Sequence, residues 1–195
     1  MAQTSDEQLA GLPETFRTAE ALDHLSERQF RRLKDDGRII ALARGLYRKS
    51  DWLGDEDLIE IATKAPQATL CLRSALARHE LVDDIPAEID IAIPRGTWTP
   101  TTAAPVRWRH FDLRTFDVGR GQLDIDAGRS IGLYSAERTL IDLFRLRHAW
   151  GSDLALGALK QWLRERDNSP GSLVTMAEDF PKARPAIQQA LEVLL

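Results

Sequence analysis

The 195-residue chain is 43% hydrophobic and 29% charged, an ordinary globular composition with enough apolar material for a core. No stretch approaches the ~18 uninterrupted apolar residues of a membrane span, and residues 1–14 lack a basic-then-apolar secretion signal, so a cytoplasmic location is expected. Its single cysteine, Cys71, excludes an internal disulfide and sits in an apolar run that reads as core rather than as a reactive thiol.

The net charge of −4 conceals an asymmetry. Residues 28–49 hold eight basic side chains (Arg28, Arg31, Arg32, Lys34, Arg38, Arg44, Arg48, Lys49) against Asp35 and Asp36, a local +6 in a chain whose remainder carries −10. Because screening limits each charge to roughly 8 Å at physiological salt, local charge decides whether a polyanion is bound.

In chain order, Thr18 reads as the N-cap of a short helix with Ala19, Leu22 and Leu25 at helical spacing. A turn at residues 23–25 leads to a second helix that Ser26 caps, with Gln29 three residues later completing a capping box. Phe30 and Leu33 share one face, Arg28, Arg31 and Arg32 project from others, and Gly37 supplies a left-handed stop. Residues 38–43 then form a strand, Arg44-Gly45 a turn and residues 46–48 a return strand. Two helices followed by a hairpin make a winged helix-turn-helix over residues 1–50, with the helix beginning at Ser26 directed into the major groove of double-stranded DNA. Arg28, Gln29 and Arg32 are the expected base readers, and Arg31 is divided between base and phosphate. Arg44 is expected at a phosphate or in the minor groove, and Arg48 and Lys49 on the backbone.

Residues 51–57 read as a linker to a second domain, 56–195. An amphipathic helix starting at Leu58 stops before Pro66. Strands are expected at 68–72, 88–93, 106–111, 116–118, 122–125 and 130–133, with a hairpin signal at Gly119-Arg120-Gly121. Helices are expected at 135–146, 152–166 and 185–194, the first two capped by Ser135 and Ser152. Ile89, Ile91 and Ile93 alternate as on a half-buried strand. The whole is α+β. Of five tryptophans, Trp98 lies in a Gly/Pro/Thr loop where an exposed aromatic suits an interface.

No catalytic site, cofactor or metal is expected. Lysine is absent from residues 65–159, which removes a metal nuclease needing lysine beside its carboxylates. Asp124-Ile125-Asp126 has the spacing of a two-metal nucleotidyltransferase strand but lacks the preceding Gly-Ser turn. His24, His79, His110 and His148 have neither a nucleophile elbow to serve nor zinc spacing, and His79 reads as a hydrogen-bonded structural residue.

Several segments in consistent order between about residues 15 and 145 resemble the AbiEi antitoxin family of the AbiE (type IV) toxin–antitoxin systems. They are Arg17-Thr18-Ala19-Glu20-Ala21-Leu22, Ser26-Glu27-Arg28-Gln29-Phe30-Arg31-Arg32-Leu33 and Ala43-Arg44-Gly45-Leu46-Tyr47-Arg48, then Leu72-Arg73-Ser74-Ala75-Leu76, Ile93-Pro94-Arg95-Gly96 and Ser135-Ala136-Glu137-Arg138-Thr139-Leu140-Ile141-Asp142. The resemblance implies a winged helix that represses its own operon promoter, joined to a mixed α/β antitoxin domain. It also implies a nucleotidyltransferase-like toxin as functional partner, opposed indirectly or by direct complex formation. In a second reading, the acidic C-terminal domain neutralises the toxin by direct binding and DNA contact is secondary. The last fifty residues match no part of that family pattern, and neither operator nor oligomeric state is legible.

Overall fold

The computed structural model describes residues 5–84, 86–126 and 128–195 (for Trp150, the backbone alone). Helices and two β-sheets make the chain α+β. It divides into two compact units, Met1–Pro66 with Asp124–Ser130, and Gln67–Leu123 with Ile131–Leu195. The first unit thus runs beyond the expected 51–57 linker, within which Asp55 caps a helix by accepting from the Leu58 N–H (3.0 Å).

In the first unit, α1 (Ser5–Ala10) precedes β1 (Thr15–Arg17), α2 (Thr18–Leu22) and α3 (Glu27–Asp35). There follow β2 (Ile39–Ala43), β3 (Leu46–Lys49) and α4 (Glu56–Lys64), which packs against β2. The sheet order is β1-β3-β2, antiparallel throughout, with Phe16 and Ala41 both opposite Tyr47. Leu9, Leu12, Phe16, Ala21, Leu25, Leu33 and Ile39 form the core, with Phe30 and Tyr47 against it. Burying one such leucine or phenylalanine stabilises the fold by roughly 1.5–3 kcal/mol. Capping of α2 differs from expectation. Arg17, not Thr18, is the N-cap, and the Arg17 N–H donates to the Glu20 carboxylate. Thr18 is occupied elsewhere, donating from N–H and hydroxyl to the Gly45 carbonyl (3.0 and 3.4 Å).

The second unit is built on a sheet of order β6-β5-β4-β8-β7. The strands of that sheet are β4 (Thr69–Leu70), β5 (Ile89–Pro94), β6 (Val106–Phe111), β7 (Arg120–Asp126) and β8 (Arg129–Tyr134), the end of β7 and the start of β8 falling in the Asp124–Ser130 segment of the first unit, with α5 (Leu72–Arg78) between β4 and β5 in sequence. β4 pairs antiparallel with β5 and parallel with β8, and β5 pairs parallel with β6. The helices α6 (Ala136–Arg145), α7 (Arg147–Trp150), α8 (Ser152–Trp162), α9 (Pro170–Met176) and α10 (Arg184–Leu194) follow, with a 3-10 turn at Ala177–Asp179. Ser135 caps α6 as expected, accepting from the Arg138 N–H (3.2 Å). At α8 the cap is Gly151 rather than Ser152.

Two strand assignments are corrected. β5 is buried on both faces, so Asp90 and Ala92 lie inside with Ile91 and Ile93. The cost of burying Asp90 is offset by Arg109 (3.4 Å), and its N–H donates to Ser74 Oγ (2.9 Å). Residues 116–118 are not a strand but part of a turn. The reason is Arg138, fully buried on α6, whose guanidinium turns that loop inward by donating to the Thr115 and Val118 carbonyls. The same cation pairs with Asp142 (3.0 Å) and lies 4.2 and 4.6 Å from the ring centroids of Tyr134 and Phe180. Arg145 closes the far side of Asp142 at 2.8 Å. A buried charge is tolerable only when paired and hydrogen-bonded in this way. Burial pushes the Asp142 carboxyl above its ordinary value, and both arginines pull against that shift. The Tyr134 hydroxyl donates to the Phe116 carbonyl (2.8 Å). The Ser135–Asp142 segment is therefore a structural centre.

Candidate nucleic-acid interface

Helix α3 begins with the capping box read from its sequence. The Ser26 N–H donates to Gln29 Oε1 (2.9 Å), and the Gln29 N–H donates to Ser26 Oγ (3.4 Å). At the other end Gly37, at φ +69°, stops it, with Gly37 N–H donating to the Lys34 carbonyl (3.1 Å) and Arg38 N–H to that of Leu33 (2.9 Å). This 5→2 and 6→1 pair is a Schellman stop, which needs the left-handed conformation that glycine adopts without penalty. Leu33 is buried, and Phe30 meets Tyr47 edge-to-face at 5.0 Å.

The face of α3 opposite that core is a shallow concavity lined by Glu27, Arg28, Arg31, Arg32, Asp35 and Asp36. Arg28, Arg31 and Arg32 are exposed, and Arg32 reaches Asp36 (3.5 Å) in an ion pair open to solvent, of the kind worth well under 1 kcal/mol. Its aspartates, Asp35 and Asp36, lie at the C-terminal end, with the arginines N-terminal to them. Arg44 is exposed in the hairpin turn, whose Gly45 carbonyl is tied to Thr18. Among the described residues Arg28, Arg31 and Arg44 have neither hydrogen bond nor ion pair, so their guanidinium donors are open to a ligand.

Several expected contact residues have partners within the fold. The Gln29 amide is spent inside the fold, since Oε1 serves the capping box and Nε2 donates to Gln8 Oε1 (2.8 Å) and Ser5 Oγ (3.3 Å), pinning α1. Arg48 is only 13% exposed, pairs with Glu56 at 2.7 Å, and donates to the Lys49 and Ser50 carbonyls. The Lys49 ammonium, 11% exposed, pairs with Glu14 (3.2 Å). Ser26 is likewise engaged as a cap. Arg38, too, pairs with Asp6 (2.9 Å), so three of the eight basic residues counted between 28 and 49 are matched by carboxylates from outside that segment.

Elsewhere, Cys71 is fully buried, and desolvation pushes its thiol well above the ordinary 9.0. His79 Nε2 lies 2.7 Å from the Tyr134 carbonyl, which can only accept, so this nitrogen carries the proton. Asp126 accepts from the Thr15 hydroxyl, to which Arg129 Nε also donates (2.9 Å). Among the described residues no three His, Cys, Asp or Glu side chains gather where a metal would need them, and no helix is long and apolar enough to cross a membrane. Trp98 is 76% exposed in the loop after β5.

No family model matches the chain, and no curated protein matches it. Among solved structures it is similar to the crystal structure of the RV2827C protein from Mycobacterium tuberculosis, with a TM-score of 0.61. The match covers 97% of this chain and 74% of that one at 16% identity. At that identity the likeness concerns the fold alone.

Proposed function

We propose that the first unit is a winged helix-turn-helix and that the protein is a DNA-binding antitoxin of the AbiEi type, repressing its own operon promoter. The observation that carries the DNA reading is the outer face of α3. A helix capped at both ends and anchored through Phe30 and Leu33 holds Arg28, Arg31 and Arg32 away from the core. The element order helix, strand, two helices and hairpin, with sheet order β1-β3-β2, supports the winged-helix assignment. Arginine forks on such a helix pair bidentately with guanine in the major groove, and Arg44 in the hairpin turn would reach a phosphate or the adjacent minor groove. The antitoxin part rests on the sequence resemblance, with a nucleotidyltransferase-like toxin as the functional partner.

The test is binding of the full-length protein to its own upstream region, compared with Arg28→Ala/Arg32→Ala. Loss of affinity at least tenfold is expected, and unchanged binding by the folded double variant would sink the assignment. For the antitoxin part, the neighbouring reading frame is co-expressed. Growth arrest by that frame alone, relieved by this chain, is the expected result; a harmless neighbour would refute the antitoxin reading and leave the DNA reading standing.

A further inference from the structure

Helices α8 and α10 both pack on α6, and between them lies a groove of about 360 Å³. Small side chains make its depth (Ala155, Ala186, Ala190) and Phe144, Leu156 and Leu194 its apolar walls. Two cations line it, Arg147 and Lys160, and among the described residues no carboxylate does, although the chain as a whole is acidic. Arg147 donates to the Phe144 carbonyl (2.9 Å) and keeps further N–H donors. Lys160 is exposed and has no hydrogen bond or ion pair among the described residues.

We infer that this groove binds a small apolar carboxylate, an alkanoate-like anion whose chain lies against the alanines while its headgroup meets Lys160 or Arg147. The cavity falls within the ordinary range for small-molecule sites, which are largely apolar with a few polar groups fixing orientation. At ~30 Å³ for each water-sized group it holds roughly a dozen non-hydrogen atoms, the size of a ten-carbon acid. A small ligand is favoured over a docked protein helix because the apolar surface is recessed. Of the exposed large hydrophobics among the described residues, only Val193 lines the groove, whereas a protein interface presents a broad apolar patch. The sign of the ligand follows from the two cations, which would repel an alkylammonium.

The experiment is calorimetric titration of the full chain with decanoate below its micellar concentration, alongside amide NMR. One saturable site is expected, with shift changes at α8 and α10 and affinity falling roughly fourfold for each methylene removed. Ala186→Phe, which fills the groove, should abolish binding. Lys160→Gln, at an exposed position that leaves the fold intact, or Arg147→Gln should weaken it about fivefold. Absence of saturable binding, equal affinity for decylammonium, or unchanged affinity in both Ala186→Phe and the Lys160→Gln/Arg147→Gln double variant would overturn the inference.

Discussion

Salt dependence distinguishes the interface drawn from the structure from the one drawn by counting charges. Each phosphate contact releases counterions, so log affinity falls with log salt by about 0.9 per contact. Counting each of the four exposed arginines, Arg28, Arg31, Arg32 and Arg44, as one neutralised phosphate whether its fork ends on a base edge or on the backbone, the slope is about −3.6 per bound copy, or a loss of about 150-fold between 50 and 200 mM salt. If all eight basic residues of 28–49 made contacts, the slope would be about −7 and the loss about 20,000-fold. The structure argues for the smaller value because Arg38, Arg48 and Lys49 are held by Asp6, Glu56 and Glu14, and Lys34 lies over the Tyr47 ring at 5.9 Å. In Arg28→Ala/Arg32→Ala the slope should halve to about −1.8, leaving a loss of about 12-fold over the same range. The assay is fluorescence anisotropy of a labelled upstream duplex at four salt concentrations, normalised per bound copy. A wild-type slope near −7, or a slope that Lys49→Ala lowers as far as the double variant does, would refute the reasoning.

The remaining expectations concern stability, read by urea denaturation. Arg138→Met leaves the Asp142 carboxylate without its buried partner and should cost about 3–5 kcal/mol; a loss under about 1 kcal/mol would contradict the described packing. Helix α5 ends in the same 5→2 and 6→1 bonds as α3, but with Glu80 at φ +56° where α3 has Gly37. Gly37→Ala should therefore destabilise by about 1 kcal/mol and Glu80→Gly stabilise by about the same amount, and two changes of like sign would refute the common motif. Gln29→Ala removes a cap and the tie to α1, so it should cost about 1–2 kcal/mol without the loss of base discrimination expected of a reader. Burial raises the Tyr134 phenol above its ordinary 10.0. The folded chain therefore keeps a proton that the unfolded chain has lost, and stability is full below that value and falls as pH rises past it. Tyr134→Phe should flatten the decline between pH 10 and 11 by up to about 1.4 kcal/mol per pH unit, and an unchanged slope would exclude Tyr134 as its source.

What was legible in the sequence was local. The Ser26–Gln29 box, the Gly37 stop, the hairpin turn at Arg44-Gly45 and the Ser135 cap each depend on residues a few positions apart, and each stands where expected. What was not legible depends on distant partners. Nothing near Gln29 shows that its amide nitrogen reaches Gln8 and Ser5, and nothing near Arg48 or Lys49 singles out Glu56 and Glu14 as theirs. Phe116–Val118 has strand-forming residues, yet the loop around it is claimed by Arg138 and Tyr134 from twenty residues away. The missed helix α9 was open to detection, because Ser169 followed by Pro170 is an N-cap and first-turn signal.

These non-local pairings change what the charge asymmetry means. The segment 28–49 is rich in cations partly because the fold needs some of them. Arg48 and Lys49 lie mostly buried against carboxylates from either side of the segment, and Arg38 meets α1 through Asp6. Taking these three away leaves a smaller and sharper feature. Arg28, Arg31 and Arg32 lie on one exposed helical face, and the opposite face of that helix is buried through Leu33 and fixed by Phe30 on Tyr47. Residues that hold the helix and residues that it offers are thus disjoint, so the arginines are free to change without loss of the fold. Surface substitutions of this kind usually cost little stability, so in the proposed reading these three arginines on one rigid helix serve to meet an anion outside the chain.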